Sequence, residues 1–180
     1  NIAISANLPM LQICFDEKRE SIDSVNVAEF DKTFISLKLQ DLTALFLSFG
    51  LPVQSGVTAK AINSAESSAY HNWQRNNLGR NIIVADIDLI KVKDDETIVV
   101  LELKRSFYDL DKWTPYPADY TNFYVLVNLC NLSNNKFFIV YNKRITKPSF
   151  FDDPSKISVF SFNQGRPKNE GFFDFEQLFN

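Results

Sequence analysis

Hydrophobic and polar positions alternate along this chain in two periods, and the change between them predicts the order of the elements. A period near 3.6 is clearest from Thr58 to Arg75, where Ile62, Ala69, Tyr70 and Trp73 recur along one side, and from Pro117 to Cys130, through Tyr120, Phe123, Tyr124 and Val127. Asp41 reads as an N-cap before the apolar run Leu42 to Phe49, which Gly50 and Pro52 close. Thr33 to Leu39 fits a strand or the front of a helix, and Asp16 to Asp31 is too weakly periodic to be more than helix or loop. Strand-like runs follow at Ile82 to Lys93, Thr97 to Lys104, Lys136 to Asn142 and Lys156 to Phe162, with a short terminal helix from Phe175 to Phe179. Helix, strand pair, helix, strand is the order of an α/β (α+β) fold: a mixed sheet of four or more strands flanked by helices.

Polar residues interrupt the strand pair where a core hairpin would not need them. The stretch Ala85 to Ser106 reads ADIDLIKVKDDETIVVLELKRS. A three-residue loop, Asp94 to Glu96, sets Val92 opposite Ile98, Ile90 opposite Val100, Asp88 opposite Glu102 and Asp86 opposite Lys104. A two-residue loop would slip the pairing by one and send Glu102 to the other face from Asp88. In the three-residue register apolar pairs fill the turn end and charges gather at the far end. Two carboxylates about 5 Å apart repel unless a cation lies between them. Mg²⁺, which takes one or two carboxylates and keeps several waters, suits such a pair. Lys104 falls on the same face, and Ile83, Ala85, Ile87 and Leu89 against Val99, Leu101 and Leu103 leave the other face for a core. Glu66 lies on the inward stripe of the Thr58 to Arg75 helix, where a carboxylate is uncommon unless paired or liganding; the alternative is that it reaches past the stripe into water.

Asp88 followed by Glu102-Leu103-Lys104 resembles the signature of the PD-(D/E)XK, or restriction-endonuclease-like, nucleases, some of whose small families read Glu-Ile-Asp-Leu-Ile and then Glu-Val-Lys. The resemblance covers roughly Thr58 to Asn142, and its specific part about twenty residues. It implies an αβββαβ core, with Asp88 as first metal ligand, Glu102 as second, the Leu103 carbonyl as a third, and Lys104 as the catalytic lysine. Asp86 would take an accessory acidic position. Glu66 fits the glutamate that many members carry on the preceding helix, as a catalytic and metal-binding residue. Mg²⁺, with Mn²⁺ substituting, would be the cofactor, and DNA the substrate of an endonuclease. The resemblance also calls for a strand before the aspartate strand, for which the residues between Trp73 and Ile82 offer only a short polar candidate.

Composition bounds this reading. The 180 residues, 45% hydrophobic and 14% aromatic, fit one nuclease-like domain over 1–180: a core at about 58–142, a helical and strand extension over 1–57, and a strand and short helix over 143–180. Net charge is −3, so the molecule as a whole does not attract nucleic acid. Seven Lys or Arg between Lys136 and Lys168 face only Asp152 and Asp153, however, and Arg105, Lys112, Lys143, Arg144 and Lys147 are candidates for phosphate contacts. A solvated lysine-rich surface is the plainer alternative. Trp113, Tyr116 and Tyr120 could stack on a base, or serve as core or lid.

Two distant cysteines, Cys14 and Cys130, and one histidine, His71, give neither a disulfide framework nor a zinc site and suit a reducing, cytoplasmic setting. No apolar run is long enough to span a bilayer. Double-strand cleavage by a one-site enzyme commonly needs two copies, which points to a homodimer or a larger nucleic-acid-processing assembly. Two rivals to catalysis stand: an inactive nuclease-like module that binds nucleic acid or protein within an assembly, and a hairpin merely stabilised by Ca²⁺.

Overall fold

The computed structural model describes residues 2–18, 20–58, 68–174 and 176–177. These form two compact units, residues 8–84 and residues 1–7 with 85–180, so the expected core at 58–142 runs across the division. The first unit holds a three-stranded antiparallel meander of β1 (Leu11–Cys14), β2 (Ser24–Glu29) and β3 (Ile35–Lys38), with α2 (Leu39–Ser48) and α3 (Ala69–Asn77). Val25 and Val27 of β2, Leu42 and Phe46 of α2, and Tyr70 of α3 are buried together.

Several sequence expectations change here. The Asp16 to Asp31 region contains a strand rather than a helix: in β2 the buried positions Val25 and Val27 alternate with exposed neighbours, a period-2 pattern too short to stand out from its charged flanks. Helix α2 starts at Leu39, so Asp41 lies in its first turn and Lys38 occupies the N-cap. Helix α3 begins at Ala69, capped by the Ser68 hydroxyl, which accepts from the His71 amide; His71 Nδ1 lies 3.1 Å from the same hydroxyl, a structural setting. Glu66 and the front of the expected helix lie outside the described residues.

The second unit carries the short helix α1 (Ile2–Ser5) and a five-stranded mixed sheet in the order β4 (Leu89–Val92), β5 (Ile98–Ser106), β6 (Lys136–Ile145), β7 (Phe151–Asn163), β8 (Arg166–Asp174). Only β5 and β6 run parallel, and α4 (Tyr120–Leu132), entered through a 3₁₀ turn at Pro117–Asp119, makes the crossover between them. The fold is thus mixed α/β, as the pattern predicts. Among the described residues between Trp73 and Leu89 there is no strand, so the one expected before the aspartate strand is not found there. Strand β7 starts five residues earlier than its apolar run, and β8 was not legible, because Lys168, Asn169, Glu170 and Gly171 break the pattern. Of the expected terminal helix only residues 176–177 are described.

Both faces of the sheet carry a core. Val100, Phe137, Ile139, Tyr141, Phe160 and Phe162 pack with Phe123, Leu126 and Cys130 of α4. Val99, Leu101, Val140, Ile157 and Val159 cluster on the other face with Leu89, Phe138 and Phe173. The site residues Glu102 and Lys104 share the face of Val100, which is the face α4 packs against.

Candidate active site

The hairpin adopts the three-residue register: Leu89 pairs with Leu101, Ile90 with Val100, Lys91 with Val99 and Val92 with Ile98. Its loop closes with the Lys93 amide donating to the Thr97 carbonyl. Such loops favour glycine in the left-handed position, and here Glu96 fills it, at φ 63°.

The expected strand Ile82 to Lys93 is corrected at its front half: regular pairing begins only at Leu89. If the ladder continued, the Leu103 amide would meet the backbone at Ile87. Instead Asp88 Oδ2 accepts the Leu103 amide at 2.8 Å. A side-chain oxygen thus stands in for the missing ladder partner. The chain before it is released, leaving Ile83, Asp86 and Ile87 exposed, while Leu103 is 45% exposed rather than core. Asp88 therefore sits at the edge of β5, bonded to the residue between Glu102 and Lys104.

Glu102 is 9% exposed, opposite the fully buried Ile139. Lys104 Nζ lies 2.9 Å from Glu102 Oε1 and 3.4 Å from Asp119 Oδ2, and 5.6 Å from the centre of the Phe123 ring. Burial disfavours the Lys104 ammonium. The hydrogen bond to Glu102 and the attraction of Glu102 and Asp119 outweigh that and hold its pKa above the ordinary lysine value. Lys104 is therefore a fixed cation, suited to hold a water or stabilise negative charge rather than to take a proton.

Asp119 is the residue that sequence reasoning missed. It occupies the N-cap of α4, yet its side chain makes no capping bond and turns to Lys104. A Pro-Ala-Asp at a helix entry reads as a cap. The signal that it belongs to a site lies only in the crossover, which returns the start of α4 over the end of β5.

Lys104 thus pairs with two carboxylates, Glu102 and Asp119, while Asp88 is held at the strand edge by the Leu103 amide. One positive charge against these two negative ones leaves a local excess that a divalent cation complements. Among the described residues no three His, Cys, Asp or Glu side chains are grouped closely enough to hold a metal as a closed set. Mg²⁺ requires no such cage: two carboxylates, a carbonyl and waters suffice. With one amide on Oδ2, the Asp88 carboxylate retains acceptor capacity. The donor chemistry fits the ion. No family model, curated protein or solved structure matches the chain.

The expected phosphate contacts are largely tied up among themselves. Asp109 receives Lys143 Nζ at 2.6 Å and Lys112 Nζ at 3.0 Å, and these two partners pull its pKa down to about 2. Asp152 receives Arg144 Nε at 2.8 Å and Arg105 at 3.1 Å. Lys147 is exposed. Trp113 is core, stacked on Tyr141 with ring centres 4.2 Å apart; Tyr120 packs edge-on to Phe162, and Tyr116 is exposed.

Proposed function

We propose that the protein is a metal-dependent nuclease that hydrolyses DNA phosphodiester bonds, of the restriction-endonuclease-like kind that its Asp88 and Glu102-Leu103-Lys104 resemble. The observation that carries the reading is the Glu102–Lys104–Asp119 cluster, in which Glu102 is nearly buried, together with the Asp88 carboxylate bonded to the Leu103 amide at the point where β4 leaves β5. A carboxylate and a lysine under a helix are costly to keep there for folding alone.

In this reading Asp88, Glu102 and the Leu103 carbonyl hold Mg²⁺, with Asp86 as the accessory acid. The ion, when bound, polarises a phosphoryl oxygen and makes a bound water more acidic. Lys104, fixed in its charged form, orients the attacking water and offsets the charge that builds on the phosphate oxygens. Asp119 positions the Lys104 ammonium. Water adds across one P–O bond, leaving a phosphate on one product end and a hydroxyl on the other. Two free cysteines suit a cytoplasmic enzyme, and Cys130 is buried, its thiol pushed up to about 11 by burial. Glu66 remains a proposed participant from the sequence alone.

A second reading, an inactive nuclease-like module, is favoured by one specific observation: the charges of the site already satisfy each other, Glu102 with Lys104 and Asp88 with the Leu103 amide. Labelled linear, circular, branched and single-stranded DNA incubated with Mg²⁺ separates the two. The nuclease reading expects cleavage that EDTA abolishes and Asp88→Asn reduces at least about 100-fold. Cleavage that persists in EDTA would remove the metal, and binding of every substrate without cleavage would favour the inactive module.

A further inference from the structure

Just past the end of β5, and in the connection between β6 and β7, the chain turns three aromatic rings outward. Phe107, Tyr108 and Phe150 are 58, 57 and 63% exposed. The Arg144 guanidinium lies over two of them, 4.9 Å from the centre of Phe150 and 5.9 Å from that of Phe107. Rings that size gain nothing for the fold by facing water.

The segment that carries Phe107 and Tyr108 is tied to the sheet by hydrogen bonds. The buried Tyr141 hydroxyl lies 2.7 Å from the Tyr108 carbonyl and 3.1 Å from that of Ser106, and Ser106 Oγ lies 2.9 Å from the same hydroxyl. The platform is therefore preformed and loses little freedom on binding.

We infer that this surface binds single-stranded nucleic acid, with unpaired bases stacking on Phe107 and Phe150 beside the Arg144 guanidinium. Aromatic faces interleaved with a planar cation are the chemistry that takes bases without reading their sequence. The local charges choose single strand over duplex. Four cations, Arg105, Lys112, Lys143 and Arg144, face four carboxylates: Asp109 and Asp152 pair with them directly, Asp111 acts on Lys112 and Asp153 on Lys143, so no positive charge is in surplus for a duplex. Duplex binding rests on neutralised phosphates, whereas ring stacking requires bases that are free. The Arg105 and Lys112 ends of these pairs face solvent and are weak enough for phosphates to exchange into.

The inference deepens the nuclease reading and rests on it for one point, that the bound strand leads to Lys104, about three residues or ~10 Å back along β5.

Fluorescence anisotropy in EDTA, which stops metal-dependent cleavage, tests the surface. The probes are labelled single-stranded DNA, a duplex of equal length and single-stranded RNA. The surface predicts at least ten-fold tighter binding of single strands than duplex. The Phe107→Ala/Phe150→Ala variant should lose at least ten-fold, and Arg144→Lys, which keeps the charge but not the plane, several-fold. With no cation in surplus, binding should fall only weakly with salt, at a log–log slope shallower than about −1. Either sugar supports the surface, and the tighter of the two names the strand. Duplex bound as tightly as single strand, or both variants binding like wild type, would overturn it. A wild type that cleaves DNA yet binds no single strand retires this surface alone; single-strand binding without cleavage on any DNA retires the nuclease alone.

Discussion

Lys104 and Glu102 hold each other at the least exposed charged position of the sheet, and that makes each a test of the other. Replacing Lys104 by Met removes the ion-pair partner of a nearly buried carboxylate and should cost about 1–3 kcal/mol. The double variant with Glu102→Gln should recover part of that, measured by urea unfolding. Because the folded pKa of Lys104 lies above its unfolded value, the pair's contribution is fully present below about pH 10.4. It fades as pH rises through the folded value. Thermal melts from pH 8 upward should therefore show a loss at the alkaline end that shrinks in Glu102→Gln. Asp109 gives the opposite case. Its carboxyl, held near 2 by Lys143 and Lys112, contributes above the ordinary carboxylate range and loses that contribution as pH falls through about 2. Carbon-detected NMR should find Asp109 titrating near 2 in the wild type and moving toward the usual range in Lys143→Ala.

At the scale of elements, the hairpin was legible because side-chain chemistry favours its register: a three-residue loop sets Val92 opposite Ile98, whereas a two-residue loop would set Glu102 opposite Ile87. The strand's true length was not. Asp88 looked like a strand residue by alternation, and only the geometry reveals that its carboxylate replaces a backbone partner and ends the pairing. Strands β1, β2 and β8 escaped for the same kind of reason, since short strands with charged or polar faces carry little period-2 signal, while Thr33 to Leu39, read as strand or helix front, holds β3 and the first residue of α2. Two turns make element-scale predictions. Glu96 sits at φ 63° in the β4–β5 loop, and Glu96→Gly should raise stability by about 0.5–1 kcal/mol. The β7–β8 hairpin turns on Gln164 and Gly165, both at positive φ, and a Cβ at Gly165 would meet the Tyr124 hydroxyl. Gly165→Ala should cost at least about 1–2 kcal/mol in the same unfolding measurement.

For the molecule as a whole, the class of fold follows from the order of periods, and the mixed five-stranded sheet with its α4 crossover agrees with it. The division into two units did not show in the sequence, because no linker composition marks the region around Val84. The site was half legible. Asp88, Glu102 and Lys104 announce themselves by register, whereas Asp119 comes into play only because a helix fifteen residues on folds back over the strand. Overall charge is a poor guide as well: the net −3 conceals an aromatic surface with four cations that neighbouring carboxylates already offset. No described helix is long and apolar enough to cross a membrane. The central claim is that this one lysine and its neighbouring glutamate perform phosphodiester hydrolysis. Cleavage of the DNA panel in Mg²⁺ by the wild type, Lys104→Ala and Glu102→Ala, each checked for folding by circular dichroism, tests it most directly. The account predicts cleavage of at least one substrate by the wild type and a loss of at least about 100-fold in both folded variants; no cleavage by the wild type, or cleavage unchanged in both variants, would contradict it.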